Sequence, residues 1–104
     1  MKPYRKSSVQ SDAVVAALLA QPRTWQHGYA LTKATGLRSG SLYPILGRLE
    51  DRGYLESKWL EPAHAGRPPR HVYRLTPGGV VFAREADARR QYAHQLLHRD
   101  GVKA

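Results

Sequence analysis

Ser39, Ser41, Tyr43, Arg48 and Arg52 are spaced so that a helix carries them on one side, while Leu42, Ile45, Leu46 and Leu49 repeat at helical spacing and bury the other. Hydroxyls, an aromatic ring and guanidinium groups on one solvent face are suited to a DNA major groove, where they can meet both phosphates and base edges. A second basic set follows. Arg67, Arg70 and Arg74 stand among His64 and His71, and Pro68 and Pro69 stiffen the stretch between the first two arginines. A rigid loop of this kind loses little freedom on docking to phosphates or entering a minor groove. The bland alternatives are an ordinary amphipathic helix and a solvated charged hairpin, so the surrounding elements must decide.

Other constellations point less sharply. His94 and His98 are four residues apart, a spacing that can bring two imidazoles to one metal, but no third ligand stands nearby and no metal site is assigned. Histidines late in a helix also simply favour its macrodipole. Trp25 and Trp59 are read as core or interface rings. With no phosphate loop, nucleophile elbow, framed acid pair or cysteine, no catalytic residue and no cofactor is expected, and the chain is read as a non-enzyme.

Charge supports a polyanionic partner. In 104 residues, seventeen Lys and Arg face eight Asp and Glu, a formal net charge of +9, which favours nucleic acid or another anionic surface. A single domain of this length is near the small end of self-sufficient cores, so dimerisation is a natural expectation. The lack of cysteine excludes disulfides and thiolate zinc sites and fits a reducing compartment. No apolar run is long enough to span a bilayer, and no signal-like stretch follows MKPYRKSS, so a cytoplasmic location without membrane association is expected.

The elements that must position these groups follow from periodicity. After a basic arm over residues 1 to 8, a helix is expected from about Val9 to Ala20, burying Val14, Val15, Leu18 and Leu19 and ending at Pro22. A loop covers Arg23 to His27. A second helix spans Gly28 to Thr35, packing through Tyr29, Leu31 and Ala34, and Gly36 ends it in the left-handed region. The third helix starts at once with Ser39 as its cap, Pro44 tightening its first turns and Gly53 stopping it. Two short helices joined by a glycine-bearing turn are a helix-turn-helix.

Beyond Gly53 the period falls to two, with Leu55 and Trp59 on one face of a strand and Glu56 and Lys58 on the other. The proline-rich segment EPAHAGRPPR must be a loop, and a second strand resumes over His71 to Leu75. Thr76 caps a last helix, with Pro77 at its first position. That helix reaches about His98. Its sparse apolar stripe, Val81, Phe82, Ala86, Ala93, Leu96 and Leu97, is read as lying outside the compact unit and serving dimerisation; a terminal helix packed on its own domain is the alternative. The expected fold is mainly α with a small β-hairpin, a winged helix-turn-helix over residues 1–76 with a dimerisation helix and tail over 77–104.

Four segments then carry a family resemblance. HGYAL at 27–31, GSLYPIL at 40–46, RLEDRGYLESKW at 48–59 and GRPPRHVYRLTPGG at 66–79 together resemble the PadR family of bacterial transcriptional regulators, in order over residues 27–79. The single helix after the wing is similar to the short subgroup of that family. The resemblance implies a homodimeric repressor that binds an inverted-repeat operator on double-stranded DNA and is released by a small-molecule effector. By position, Ser39, Ser41, Tyr43 and Pro44 fall where family members face the major groove, and Arg67 and Arg70 fall at the wing tip. Together with Arg48 from the helix pattern, these form the expected DNA-binding set. Ala30 replaces the acid usual after Gly-Tyr, a small departure. Drug-sensing relatives place an aromatic ring in the middle of the last helix, whereas Arg89 and Arg90 stand here with Tyr92 nearby, which puts flat hydrophobic ligands in doubt. These three residues either meet an anionic effector or are simply solvated. A winged-helix module that docks on protein or RNA, without sequence-specific DNA binding, is the alternative function.

Overall fold

The computed structural model describes residues 6–101, with side chains described from Val9 to Leu97; the basic arm before Lys6, the tail after Gly101 and the side chain of His98 lie outside the described residues. Four helices, α1 (Lys6–Leu19), α2 (Gly28–Thr35), α3 (Ser39–Asp51) and α4 (Pro77–Gly101), accompany three strands, β1 (Gln26–His27), β2 (Leu55–Leu60) and β3 (Arg70–Leu75). The architecture is a winged helix-turn-helix with a long last helix. The strands form an antiparallel sheet in the order β1-β3-β2, with Leu55 opposite Leu75, Ser57 opposite Tyr73 and Trp59 opposite His71.

β1 corrects the expectation of a plain loop over Arg23 to His27. Gln26 pairs with Tyr73 and His27 with Val72, so the edge of β3 does not present bare N–H and C=O groups along that stretch. Two residues have no periodicity to reveal.

The turns carry the geometry. Gly36 adopts φ 74° and its N–H bonds to the Thr32 carbonyl at 2.8 Å, which ends α2 and aims the chain into α3. At the start of α3 the cap is Arg38, not Ser39 as expected, and no side chain caps the helix. The Arg38 carbonyl accepts the N–H groups of both Ser41 and Leu42 at 2.9 Å, a tightened first turn that lets Pro44 sit inside the helix at the cost of one ladder bond. α3 ends in a Schellman arrangement. Gly53, at φ 82°, bonds to Glu50, and the Tyr54 N–H reaches back to Leu49.

The end of α3 is locked to the start of α4. Thr76 Oγ1 accepts the Gly79 N–H at 2.9 Å, as an N-cap should, and donates to the Gly53 carbonyl at 2.7 Å. The Thr76 N–H bonds to the Tyr54 carbonyl at 3.1 Å, and a Cβ on Gly79 would collide with that same carbonyl. Tyr54 then stacks on Phe82, with centroids 4.1 Å apart.

The core joins Val14, Val15 and Leu18 of α1, Leu31 of α2, Leu42, Ile45, Leu46 and Leu49 of α3, Leu55, Tyr73 and Leu75 of the sheet, and Ala83 of α4. Two expected packing residues lie elsewhere: Tyr29 is 70% exposed and Ala34 is exposed; of the core and interface readings of Trp59, its 63% exposure removes the core one. The stripe on α4 divides as well: Phe82 packs on the core beside Val80 and Ala83, and Ala86 faces α1, so this half belongs to the compact unit. Val81, Ala93, Leu96 and Leu97 are exposed. At about 1.5 Å per residue the 25 residues of α4 extend far past the body. The radius of gyration is accordingly 16.0 Å, against about 13 Å for a compact chain of this length.

Candidate nucleic-acid interface

α3 presents Ser39, Tyr43, Pro44 and Arg48 to solvent, with Ser41 half-buried beneath them. Tyr43 is not a free arm. It is 44% exposed, its ring lies over Gly28, where any Cβ would strike the hydroxyl, and it meets Tyr73 at 6.4 Å between centroids. The ring therefore fixes the attitude of α3 against α2 and the sheet while its outer edge stays open. Beside it, an open groove of about 600 Å³ is lined by Tyr29, Thr32 and Lys33 of α2, the turn through Arg38, and Ser39 and Tyr43. Lys33 Nζ lies 5.2 Å from the Tyr29 ring centroid. Lys33 and Arg38 are absent from the sequence reading, and Tyr29 stands there only as a packing residue. Their signal was position on the helix-turn-helix, which apolar periodicity does not report.

The sheet separates two kinds of cation. On its outer face Glu56 accepts Arg74 Nε at 2.9 Å and Arg23 Nη1 at 3.0 Å, and Arg23 also donates to the Leu75 carbonyl at 2.7 Å. Hydrogen bonding from Arg74 is the main reason the Glu56 carboxyl is held below the usual range, with Arg23 adding to it and desolvation opposing. Trp25 lies under both Arg74, at 4.2 Å, and Lys58, at 4.5 Å. Arg74 is thus committed to its own sheet and leaves the wing set in which the sequence grouped it. Among the described residues Arg38, Arg48, Arg52, Arg67 and Arg70 carry no ion pair, and all five are exposed.

On the opposite face, Tyr73 is buried and bonds to His71 Nδ1 through its hydroxyl at 3.0 Å. Burial pushes its hydroxyl up to about 12, with Tyr43 and Glu50 reinforcing the shift. A cleft of about 390 Å³ opens here between α3 and the wing, and its lining includes Tyr29, Tyr43, Trp59, Arg70 and His71. Its lining draws on α2, α3 and both strands of the wing.

The residues expected to meet an effector lie far along α4. Arg89 is exposed and Tyr92 is 64% exposed, but Arg90 pairs with Asp87, which also accepts Gln91 at 3.0 Å. A shallow groove of about 300 Å³ runs past Arg90, Gln91, His94 and Gln95. Among the described residues no group of three or more His, Asp or Glu is placed to hold a metal, and no helix is long and apolar enough to cross a membrane.

A glycine-turned helix pair, an exposed reading face on its second member and a basic hairpin beside it define a winged-helix DNA-binding protein. The comparisons agree. The model of the transcriptional regulator PadR-like family matches residues 16–85, so this chain belongs to that family of DNA-binding transcriptional regulators. A PadR family transcriptional regulator from Eggerthella lenta is 30% identical, with 88% of this chain and 83% of that one covered and a TM-score of 0.70. A PadR-like transcription factor from Bacteroides fragilis shares the fold at TM-score 0.73 and 21% identity, covering 90% and 91% of the two chains. The PcaV transcriptional regulator from Streptomyces coelicolor, in complex with its natural ligand, is similar in fold at TM-score 0.71 and 24% identity, over 86% of this chain and 60% of its own. No curated protein matches the chain.

Proposed function

We propose that the chain is a homodimeric, cytoplasmic repressor that binds an inverted-repeat operator in double-stranded DNA. Each α3 enters one of two successive major grooves, and each wing rests on the flanking backbone through Arg67 and Arg70. The observation that carries this reading is the partition of charge: Glu56 engages Arg23 and Arg74 and Asp87 engages Arg90, while among the described residues the exposed arginines of α3, its turn and the wing make no ion pair. Ser39, Ser41, Tyr43, Pro44 and Arg48 supply base preference. The unpaired cations supply affinity for any duplex.

Dimerisation is supported by the exposed apolar side chains of α4, Val81, Tyr92, Leu96 and Leu97, on a helix that leaves its own domain behind. Release by a small effector is also proposed, with Arg89 and Tyr92 as the open groups on that helix. A regulator of similar fold, PcaV, in complex with its natural ligand, supports this reading.

The test compares the protein's own upstream DNA with a scrambled duplex, for the wild type and Tyr43→Ala. Nanomolar binding that weakens to micromolar on scrambling, with the variant losing mainly that preference, is the expected result. Equal weak binding to both duplexes by the wild type would favour a docking module instead.

A further inference from the structure

Trp59 is exposed yet firmly held. Its indole stacks flat on His71, with centroids 4.4 Å and planes 8° apart, while 63% of the residue faces solvent. His71 in turn leans on Tyr73 at 4.6 Å and bonds to its hydroxyl, and Tyr73 reaches Tyr43 of α3. Four rings therefore run from the wing strand to the reading helix. They line the 390 Å³ cleft together with Gly28 and Tyr29 of α2 and with Pro69 and Arg70 of the wing. No acid lines it.

We propose that this cleft grips the sugar–phosphate backbone of DNA where the strand passes from the groove read by α3 to the wing. Trp59 is an apolar plate for one deoxyribose, and the Tyr29 hydroxyl and Arg70 guanidinium donate to the phosphates on either side of it. The inference rests on the DNA-binding reading and adds a contact that is indifferent to base sequence. Three features favour this occupant. In a duplex the bases are stacked inside and only the backbone reaches a cleft between two surface-bound elements. A deoxyribose offers C–H faces that suit an indole, flanked by anions that suit donors. The ring is already backed by His71 and Tyr73, so docking freezes little additional motion.

Trp25→Phe leaves Trp59 as the single indole, since the chain has two tryptophans and Trp25 lies on the opposite face of the sheet. Random-sequence duplex is titrated into this variant at low salt, following both anisotropy of the labelled DNA and Trp59 emission. The emission is expected to change and saturate together with the anisotropy. Trp59→Ala is expected to weaken scrambled and upstream duplexes by the same factor, about tenfold, with an unchanged salt slope and an unchanged unfolding midpoint. Trp59→Phe should recover most of the loss. DNA bound with silent Trp59 emission would overturn this inference alone, as would a Trp59→Ala protein that unfolds earlier but binds normally. Failure of any duplex to bind would overturn the DNA-binding reading with it. Saturable quenching by 2-naphthoate, without response to DNA, would assign the cleft to a small molecule and overturn the proposal.

Discussion

Replacing Arg67 and replacing Arg74 remove the same charge from the same hairpin, yet their consequences should separate completely. Arg67 is exposed at the wing tip and makes no ion pair among the described residues, so under the proposed docking Arg67→Ala deletes a phosphate contact. Each phosphate contact contributes about 0.9 to the slope of log affinity against log salt, so two protomers change it by about 1.8. Between 50 and 200 mM salt the variant should therefore lose about twelvefold less affinity than the wild type loses. Arg74 instead donates to Glu56 and lies over Trp25. Arg74→Ala should leave the slope unchanged and lower stability by about 1 kcal/mol, the scale of a partly exposed pair with a cation–π contact. Anisotropy titrations of a scrambled duplex at four salt concentrations, with urea unfolding of each variant, read both quantities. If Arg74→Ala flattens the slope as much as Arg67→Ala does, the separation of paired from DNA-facing cations is wrong.

Three further outcomes follow from the packing. Because burial raises Tyr73 from 10.0 to about 12, the folded state favours its protonated form; the resulting stability is intact below pH 10 and is lost between pH 10 and about 12. Urea midpoints of wild type and Tyr73→Phe should converge over that range, and parallel curves would contradict it. Gly79→Ala should destabilise by about 2–4 kcal/mol, because its Cβ meets the Tyr54 carbonyl that holds Thr76, whereas Gly78→Ala, whose Cβ would make only an ordinary contact with Thr76 Oγ1 at 3.9 Å, should be neutral or mildly stabilising in thermal melts. Leu96→Asp with Leu97→Asp should give a folded monomer by sedimentation equilibrium while α1 to β3 keep their melting behaviour; a persisting dimer would move the interface off the far half of α4.

The helix-turn-helix was legible because its signals are local. Gly36 and Gly53 end α2 and α3 where backbone geometry needs them, and the leucines between them repeat with the helical period. What escaped depends on distance in space. Strand alternation correctly put Trp59 on the face of Leu55, but it does not report how far the covering helices reach, and they stop short of the wing. Arg74 looked like Arg67 and Arg70 because its partners, Glu56 across the strand and Trp25 before β1, are not its neighbours in sequence. Phe82 and Leu96 belong to one apolar stripe, yet only the first lies within reach of Tyr54. β1 and the uncapped start of α3 at Arg38 are set by pairing and turn geometry that no single side chain announces.

The central claim is that two copies of α3 read successive major grooves. Hydroxyl-radical footprinting of the upstream DNA should show two protected patches centred about one helical turn apart, roughly 10 base pairs, over a sequence with twofold symmetry. A single patch, or protection that vanishes under competitor DNA without any preferred position, would contradict it.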